Sequence, residues 1–596
     1  VKDALTEEPL FGVNILVKGK DRGQVTDLDG NFTFTELADN DILIFSMLGY
    51  EKIEVDVASR SNWTIALQPK DNLLSEAVVV GYGEVSREKL TSSISSVSPK
   101  EFNRGVLGNP DQLLQGKVPG LVISRDGNPN SNASVVLRGA STLREGAAQQ
   151  PFYVIDGVPG ASINLVAPDN IVSIEVLKDA SATAIYGSRA ANGVIIVTTK
   201  RAQPNYGFSY NAYAGIENAA NQLRMMTGDE LRSYLSKNGQ QLFPNDNNYT
   251  LENGDTTFVN TNWQDVVMRQ GVSQNHTLSY GGGTERASFN ASLNYFKNEG
   301  IILGTSRERV IAQFSLEQKG INDRLKLNFQ VTNSLEKQEL ANDQLYRQMV
   351  SYLPTVTIRN EDGTFKENTI DHTSNYFNPL AIIEQNQEER QLNTLMGYLG
   401  ARFDITKNLN VNITGSYQLE KTEGKLYQNS ASILPIGYLQ TSYTGSQVGG
   451  LARRFSVQNN RKVLETFFDY TPISNMSHEL KILGGYSWQN DENNDGFQAT
   501  NNGFVSNVTG ADNLALGTNT LRVDYGNFMQ IPLRIISFYS RVNYSYLDKY
   551  LFQASFRRDG SSAFSVNNRW GNFPAASVGW LIHEEGFFKN QSLVQN

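Results

Sequence analysis

The chain has 596 residues, of which 39% are hydrophobic and 10% aromatic, and its mean hydropathy is −0.38. No apolar run approaches the roughly 18–20 residues of a membrane-spanning helix, so a membrane chain of this composition would have to be a closed β-barrel. The net charge of −9 argues against a nucleic-acid binder, and the lack of cysteine excludes disulfides, thiolate metal sites and a cysteine nucleophile.

Residues 1–70 are predicted to form short strands separated by turns. The run Asp27–Asn31, with the sequence DLDGN, predicts one of these turns, because Gly and Asn accept a positive φ. It could also begin a calcium loop, but the remaining EF-hand ligand spacing is absent, so the turn is the preferred interpretation. The predicted strands are Gly12–Lys18, Phe32–Glu36, Ile42–Ser46, Lys52–Val57 and Trp63–Leu67.

The segment 71–83 contains a β-branched run, Val78–Val80, between a polar stretch and a Gly-Tyr-Gly break. One interpretation is a strand that ends the N-terminal unit or begins the next unit. The other is a free extended segment that adds as a strand to the sheet edge of a partner, with main-chain hydrogen bonds carrying the attachment. The high β-propensity of valine suits both interpretations.

Residues 84–201 are predicted to be a compact β-α-β globule, most clearly defined near its C-terminal end. Gly187 is expected to stop the helical segment of this globule, because glycine adopts a positive φ without a Cβ penalty. The predicted elements are a strand at Phe152–Ile155, a turn at Asp156-Gly157, a strand at Ile171–Leu177, a helical turn at Ala180–Tyr186 and a strand at Val194–Thr199.

From about residue 202 onward, apolar and polar residues alternate with the period of a β-strand. In Ala287–Tyr295 the odd positions are mostly apolar and the even positions are Ser or Asn. Small uncharged polar residues on one face and Leu, Phe and Tyr on the other are typical of a barrel with a wet lumen and a lipid-facing exterior. The same pattern occurs in Leu325–Val331, Leu409–Leu419 and Val542–Tyr546.

Long intervals rich in Asn, Gly and Ser are predicted to be extracellular loops, with tighter turns at the other end of the barrel. Pro574 lies inside a strand-like run, and because a barrel has no edge strand it is expected near the rim, where the ladder starts. Aromatic residues in loops could stack on sugar rings; they are Tyr427, Tyr438, Tyr443 and Trp488. The predicted loops are Asn245–Asn262, Tyr427–Ser446 and Gln489–Thr520.

Four sequence motifs follow one another along the chain: LLQGKVPGLVISRDG from Leu113, VVLRGAST from Val135, YVIDGVPG from Tyr153 and IEVLKDASATAIYGSRAANGVIIVTTK from Ile174. They resemble the plug domain of SusC/RagA-type TonB-dependent transporters of Bacteroidetes outer membranes. FRRDGSSAFSVNNRWGNFPAASVGW at Phe556–Trp580 resembles the same family. GVNILVKG, GQVTDLDGNFTF and LIFSMLGY resemble the carboxypeptidase-regulatory-like β-sandwich that precedes many such plugs, usually with one more strand before it.

The resemblance implies an all-β membrane protein with four parts. These are a β-sandwich at 1–70, a TonB box segment at 71–83, an α/β plug at 84–201 and the N-terminal part of a large antiparallel transmembrane β-barrel at 202–596. Lys178, Asp179 and Arg189 are then expected to hydrogen-bond the barrel wall rather than to act in catalysis. The implied TonB box consists of Ser75, Glu76, Ala77, Val78, Val79, Val80, Gly81, Tyr82 and Gly83, with Ala77 where the family more often has Val.

The same resemblance implies TonB-dependent active import of an oligomeric nutrient, either an oligosaccharide or a peptide, across the outer membrane. The implied partners are TonB, a SusD-type surface lipoprotein that lids the barrel, outer-membrane lipid, and a second transporter–lipoprotein pair in a dimer. The N-terminal region is expected in the periplasm. No cofactor, metal, nucleic acid or catalytic residue is implied.

The strand count is the main difficulty for this interpretation. About 12–13 strand candidates follow the plug, whereas plugged outer-membrane transporters have about 22 strands. The last residues, Ser592–Asn596, do not end on an aromatic residue as the family does. We therefore expect the chain to be the N-terminal part of a longer transporter; a smaller complete barrel is the alternative.

Three other functions compete with nutrient import. A siderophore or cobalamin receptor of the same transporter class is the nearest alternative. A non-transporting surface adhesin of stacked sandwiches would show repeats, and none is visible. An enzyme is disfavoured, because the four histidines lie far apart without paired-ligand spacing and no GxSxG elbow is present; they are His276, His372, His478 and His583.

Overall fold

The computed structural model of the chain divides into two compact units, Val1–Leu90 and Thr91–Asn596. Each unit has its own core and is described separately. The structure describes residues 1–4, 9–10, 12–18, 22–27, 29–34, 37–38, 41–47, 50, 53–57, 63–68, 77–79, 83–86, 89–103, 105, 107–124, 128–144, 146–202, 207–242, 246–252, 255–367, 376–434, 448–475, 477–525, 532–585 and 587–588.

The first unit is a small β-structure built around side chains that are fully shielded from solvent. Its four-stranded antiparallel sheet has the order β3-β2-β4-β5, β1 pairs in parallel with β6, and β7 forms a hairpin with β8. Val13, Ile15, Leu43 and Phe45 form the centre of its core. The strands are β1 (Lys2–Asp3), β2 (Asn14–Val17), β3 (Gly23–Val25), β4 (Ile42–Ser46), β5 (Ile53–Asp56), β6 (Ala66–Leu67), β7 (Ala77–Val79) and β8 (Glu84–Ser86).

Four of the five strands predicted in this unit are confirmed as β2, β4, β5 and β6. The prediction of a strand at Phe32–Glu36 is wrong for the described residues 32–34, which form no strand. Phe32 packs edge-on against Phe45 and stacks on Trp63. The predicted turn at Asp27–Asn31 is confirmed. Its Asp27 Oδ1 accepts hydrogen bonds from the backbone N–H groups of residues 29 and 31, at 3.1 and 2.7 Å.

The second unit begins with a globule of mixed structure, residues 91–200, which we call the plug. Its five-stranded sheet has the order β13-β12-β15-β14-β9, and β10 and β11 form a separate hairpin. The predicted strands at Phe152–Ile155, Ile171–Leu177 and Val194–Thr199 are confirmed at the same bounds. The elements are β9 (Ile94–Val97), β10 (Leu121–Ser124), β11 (Ser134–Leu137), β12 (Phe152–Ile155), β13 (Val158–Pro159), β14 (Ile171–Leu177), α1 (Ala180–Thr183) and β15 (Val194–Thr199).

After the plug, the chain forms one antiparallel sheet of 13 strands, which we call the wall. Neighbours in the chain are neighbours in the sheet from one end to the other, and β27 is a short extra strand beside β26. The strands are β16 (Gly207–Glu217), β19 (Gly271–Gly283), β20 (Ala287–Glu299), β21 (Ser306–Gly320), β22 (Leu325–Leu340), β23 (Asn386–Thr406), β24 (Leu409–Gln428), β25 (Leu451–Ser474), β26 (His478–Asn502), β27 (Arg522–Asp524), β28 (Leu533–Tyr546), β29 (Tyr550–Ser561) and β30 (Trp570–Trp580).

Consecutive antiparallel strands of the wall are connected alternately at each end of the sheet. The connections at one end are short, and those at the other end are longer. The short ones are 284–286, 321–324, 407–408, 475–477 and 547–549. The other end has 218–270, 300–305, 341–385, 429–450, 503–532 and 562–569. The predicted segregation of tight turns from long connections is thereby confirmed.

The long connections carry the remaining helices and a hairpin. Side chains from several connections share a small apolar core that includes Val267, Ile302, Leu345 and Ile382. Among the described residues, no helix has the length and apolar character needed to cross a membrane. These elements are α2 (Gly228–Lys237), β17 (Tyr249–Glu252), β18 (Asp255–Phe258), α3 (Trp263–Val267), α4 (Gln344–Ser351) and α5 (Pro379–Gln385).

The predicted alternation in Ala287–Tyr295 is confirmed in β20. The even positions, Ser288 to Asn294, are buried on the face that we call inward, toward the plug. Large apolar side chains of the opposite, outward face are exposed, including Leu278, Leu293, Phe314 and Phe329. An apolar exterior and a polar interior are the arrangement expected of a lipid-facing barrel wall.

Two sequence expectations about the wall are wrong. The loop predicted at Gln489–Thr520 begins only after Asn502, because β26 continues and pairs with β25 up to Leu451. Pro574 does not lie at a strand start but inside β30, opposite Phe556. Proline removes one backbone N–H from this strand, so at most one ladder hydrogen bond is lost.

We expect Leu293→Arg, on the outward face, to reduce the yield of protein folded into lipid. A charge at mid-depth of the lipid-facing surface costs about 2–4 kcal/mol. Leu516→Arg is the control, because Leu516 is equally exposed but lies in a long connection. Folded protein would be measured as the fraction that migrates in its compact form before heating. Equal yields for the two variants would show that Leu293 does not face lipid.

Candidate functional site

The interface between the plug and the wall is lined mainly by polar side chains of the inward face. Partners of the plug come from strands at both ends of the sheet, such as Asn211 on β16 and Ser577 on β30, and from strands between them. The wall therefore curves around the plug. Other wall residues that bond the plug are Asn275, Thr277, Asn290, Ser292, Gln313, Gln330, Gln418, Arg461, Gln489, Gln553, Arg557 and Asp559.

On the side of β16 to β22, the plug presents carboxylates and the wall presents neutral donors. Asp169 accepts hydrogen bonds from Asn275 Nδ2 and Thr277 Oγ1, both at 2.6 Å, and from Asn211 Nδ2 at 3.0 Å. Hydrogen bonds to an ionised carboxylate are stronger than those between neutral groups. This carboxylate thus binds two neighbouring strands of the wall to the plug.

Asp156 makes a second carboxylate contact from the Asp156-Gly157 turn predicted from the sequence. The backbone at Asp156 has φ of 51°, which Asp tolerates in turns. Its carboxylate accepts from the N–H and hydroxyl of Thr199 at 2.8 and 2.7 Å, and from Gln330 Nε2 at 3.0 Å. One side chain therefore fixes the turn to β15 and also docks the turn against β22.

On the side of β25 to β29 the wall also donates, but here its donors are arginines and the acceptors are plug carbonyls. Arg557 is fully buried and donates to the Ile185 carbonyl at 2.6 Å, to Asp559 Oδ1 at 2.6 Å and to Ser537 Oγ at 2.8 Å. Arg461 pairs with Asp491 at 2.9 Å and donates to the Gly160 carbonyl. Both guanidinium groups therefore have a carboxylate partner, as a charge in a shielded site requires.

The helical segment of the plug ends against this arginine cluster. Helix α1 (Ala180–Thr183) continues as a 3₁₀ turn over Ala184–Ala190, inside which Gly187 has φ of 66°. The positive φ predicted for Gly187 is confirmed. A Cβ at this position would also approach Arg557 Nε to 2.9 Å and collide with Asp559, so glycine is required by the wall as well as by the turn.

The charged residues beside this segment have different roles. Arg189 donates to Gln489 of the wall, as predicted, and lies 4.9 Å from the Phe152 ring centre. Asp179 instead caps helix α1 by accepting from the Ala182 N–H at 3.0 Å, so its predicted contact with the wall is wrong. A side-chain oxygen at the N-cap satisfies a free N–H of the first turn.

One apolar side chain of the wall joins the core of the plug. Met396 on β23 is buried in the same cluster as Ile174, Val176 and Val197, and Tyr398 packs beside it. The unbranched methionine side chain fills irregular gaps of this kind. This contact differs from the hydrogen-bonded contacts that dominate the rest of the interface.

Two models of known protein families match the chain. The CarboxypepD_reg-like domain matches residues 1–80, and the TonB-dependent receptor plug domain matches residues 86–194. The SusC TonB-dependent receptor of Bacteroides thetaiotaomicron is 30% identical over 631 residues, which cover 100% of this chain and 59% of the relative. TonB-dependent receptor P26 of Formosa agariphila is 33% identical over 603 residues, covering 98% of this chain and 58% of the relative.

The chain is homologous to the SusC-like TonB-dependent receptors over nearly all of its own length. The solved structure of the RagAB peptide transporter has the same fold, with a TM-score of 0.69 and 23% identity over 84% of this chain and 58% of that chain. The predicted fold class and family are confirmed, and the prediction that the chain is not an enzyme agrees with this family. Members of the family are β-barrel proteins of the outer membrane. The chain spans a little over half of the length of these relatives.

The segment predicted to be the TonB box of this receptor lies ahead of the plug, in the first unit. The backbone of Ala77–Val79 forms an antiparallel hairpin with Glu84–Ser86, and Val78 is opposite Val85. Of the other box residues only Gly83, with φ of 126°, is described; Ser75, Glu76, Val80, Gly81 and Tyr82 lie outside the described residues. The assignment of residues 75–83 as the box remains a prediction.

Two of the four aromatic residues predicted for sugar stacking, Tyr427 and Trp488, are among the described residues. Tyr427 is buried, and its hydroxyl donates to Asn507 Oδ1 at 2.7 Å. Trp488 lies within strand β26, opposite Leu464, and not in a loop. Tyr438 and Tyr443 lie outside the described residues. The prediction is therefore wrong for Trp488, because the strand extends farther than composition indicated.

Asp169, Asp156, Arg461 and Arg557 were not identified as functional residues from the sequence. Their partners lie far along the chain, up to 372 residues away for Arg557. The only local signal was the placement of Arg557 at an inward position of an alternating strand, where an arginine needs a buried partner.

A buried carboxyl inside the plug adds a pH-dependent element. Burial raises the pKa of Asp111 to about 6, although a hydrogen bond from the Tyr153 hydroxyl at 2.7 Å acts in the opposite direction. Asp111 stands in the 3₁₀ turn Pro110–Leu114, which Asn109 caps. The charged form of this carboxyl therefore weakens the plug at neutral pH.

We expect Gly187→Ala to loosen the plug from the wall, because the new Cβ meets Asp559 in addition to the strain of the positive φ. Gly116→Ala is the matched control, since Gly116 has φ of 75° but open space around it. A left-handed alanine costs about 1–2 kcal/mol, so the control should lose that amount and Gly187→Ala more. Protease sensitivity of the plug measures the difference. Equal sensitivity of the two variants would contradict the contact with Asp559.

We expect Asp111→Asn to remove a pH dependence of plug stability between about pH 4 and 6. The folded pKa lies above the ordinary value of 3.8, so this carboxyl favours folding below pH 3.8 and loses that effect as the pH rises through 6. Asp111→Asn should therefore be more stable at pH 7, by up to about 3 kcal/mol. Denaturant titrations at a series of pH values test this, with Tyr153→Phe as a control that should move the transition to higher pH.

Proposed function

We propose that this receptor takes part in TonB-dependent active import of an oligomeric nutrient, an oligosaccharide or a peptide, with a SusD-type lipoprotein as a lid. The observation that carries the proposal is a plug held to the wall mostly by individual hydrogen bonds, directly after a short strand pair at residues 77–86. Hydrogen bonds to side chains can be exchanged for water at small net cost, so such a plug can be displaced and can return.

The proposed parts follow the order of the chain. Residues 1–70 form the regulatory-like sandwich, 71–83 the TonB box segment, 84–201 the plug and 202–596 a part of the barrel. The end of the wall with short turns faces the periplasm together with the N-terminal region, and the long connections face outward. In lipid both edge strands, β16 and β30, require strand partners, since unpaired backbone groups are not tolerated there.

The energy-coupling step is assigned to residues 75–83. In the hairpin, Val78 and Val79 pair with Val85 and Glu84. We propose that TonB takes the place of that pairing by adding its own sheet edge, which needs main-chain N–H groups but no particular side chain. The assigned box residues are Ser75, Glu76, Ala77, Val78, Val79, Val80, Gly81, Tyr82 and Gly83.

A Val79→Pro variant should reach the outer membrane and bind its nutrient with the partner lipoprotein, but fail to support growth on that nutrient. Proline removes one N–H of the strand. Val79→Thr is the control, because it keeps the N–H and the β-branched shape. Growth of the proline variant at the normal rate would exclude the TonB box at this position and favour a passive channel or a surface binder.

A further inference from the structure

Arg309 is an arginine of the wall whose guanidinium group has no hydrogen-bond partner among the described residues. Arg309 on β21 is 1% exposed, and none of its three guanidinium nitrogens bonds another group among the described residues. It lies over the ring of Phe296, directly opposite on β20, at 5.8 Å from the ring centre. A single contact of this kind does not replace the hydration that a buried guanidinium loses.

The surroundings of Arg309 do not neutralise its charge. Its titratable neighbours are Arg307, Glu336 and Tyr213. Glu336 lies directly opposite Arg309 in the sheet, but its oxygens are bonded by Arg307 at 2.8 Å and by Gln338 at 2.5 Å. Two buried arginines thus share one carboxylate, and the positive charge of Arg309 is left over.

Acceptors without partners lie on the same inward face. Asn294 and Asn298 flank Phe296 on β20, and the Oδ1 atom of each is buried with no hydrogen-bond partner in the part of the chain that the structure describes. The patch around Phe296 therefore offers a cationic donor and two neutral acceptors. A carboxylate with N–H or O–H groups beside it has the complementary arrangement.

The plug covers this patch with the short segment that contains Leu107 and Gly108. A Cβ at Gly108 would come within 3.2 Å of the Phe296 ring, so the plug backbone lies against that ring. Leu107, next in the chain, lines a cavity of about 910 Å³ between the plug and the inward face of β16, and Tyr213 lines the same cavity. If the segment at Leu107 and Gly108 withdrew, this cavity would extend toward Arg309.

We propose that Arg309 is an oxyanion-binding residue of the lumen, which takes a carboxylate of the imported nutrient once the plug segment at Leu107 and Gly108 withdraws. This inference rests on the proposed import function. It assigns the nutrient a chemical class, an oligomer bearing carboxylates, whether of acidic amino acids or of uronic sugars. It also explains why a costly buried charge is present without a partner in the resting plug, since functional residues are often kept at the expense of stability.

The first test compares two buried arginines of the wall: Arg557, which has hydrogen-bond partners, and Arg309, which has none among the described residues. Replacing an unpaired buried charge by an apolar side chain of similar length should stabilise the resting state, whereas breaking a paired one should destabilise it. Arg309→Met should therefore raise the unfolding temperature of the plug in the full-length protein by at least about 2 °C. Arg557→Met should lower that temperature. A fall for both variants would show that Arg309 has a structural role and would overturn the proposal.

The second test measures uptake by cells that carry the full-length receptor and its lipoprotein. The probes are two matched pairs of labelled trimers, one of aspartate and asparagine peptides and one of uronic and neutral sugars. Arg309→Gln should lower uptake of the carboxylate member of the transported pair at least about five-fold and leave the neutral member within about two-fold. Arg309→Lys should restore part of the uptake, because it keeps the charge.

The outcomes of the two tests separate the inference from the import proposal. An equal effect of Arg309→Gln on both members of a pair, or no effect on either, overturns the role of Arg309, and the pair that responds identifies the source of the carboxylate. Uptake that is unchanged in Val79→Pro counts against TonB-driven import instead. If the unaltered receptor takes up no probe, the stability comparison still decides: destabilisation by Arg309→Met overturns the inference.

Discussion

Polar groups of a plug that is enclosed by a sheet must find partners on that sheet, since an unbonded buried polar group costs about 1–3 kcal/mol. The inward face meets this constraint in two ways. Neutral donors such as Asn275 and Thr277 bind the carboxylate of Asp169, and arginines such as Arg557 bind plug carbonyls. The alternating sequence of the wall follows from the same constraint, because one face must bond the plug while the other contacts lipid.

The position of the plug on the wall is therefore determined by the geometry of its hydrogen bonds and not by the surface area that it buries. Ser, Asn and Gln side chains are alike in hydrophobicity, so a sliding plug would bury similar area in several positions. The position is fixed by contacts that can form in only one placement of the plug. Asp156 bonds Thr199 of the plug and Gln330 of the wall. The turn at Gly187 lies against Arg557 and Asp559. The interface is therefore selective even though each contact is weak.

Much of the fold could be predicted from local sequence because its causes are local. The period of two in Ala287–Tyr295 and the glycine at position 187 are decided by residues within a few positions. The failures had other causes: β26 extends into an Asn-rich stretch because β25 runs beside it, and Pro574 lies inside β30, opposite Phe556 of β29. The docking residues could not be predicted, since Asp169 and Asn275 are 106 residues apart in the chain.

The composition of the plug–wall interface also determines how docking responds to temperature. Exposure of apolar surface raises the heat capacity and exposure of polar surface lowers it. The plug meets the wall mainly through amides, hydroxyls and carboxylates, with Met396 as an apolar contact, while its own core is made of Val, Ile and Leu. Separation of the plug from the wall therefore involves a small heat-capacity change, and unfolding of the plug a large positive one. The free energy of attachment accordingly changes almost linearly with temperature, whereas the free energy of unfolding of the plug follows a curve with a maximum.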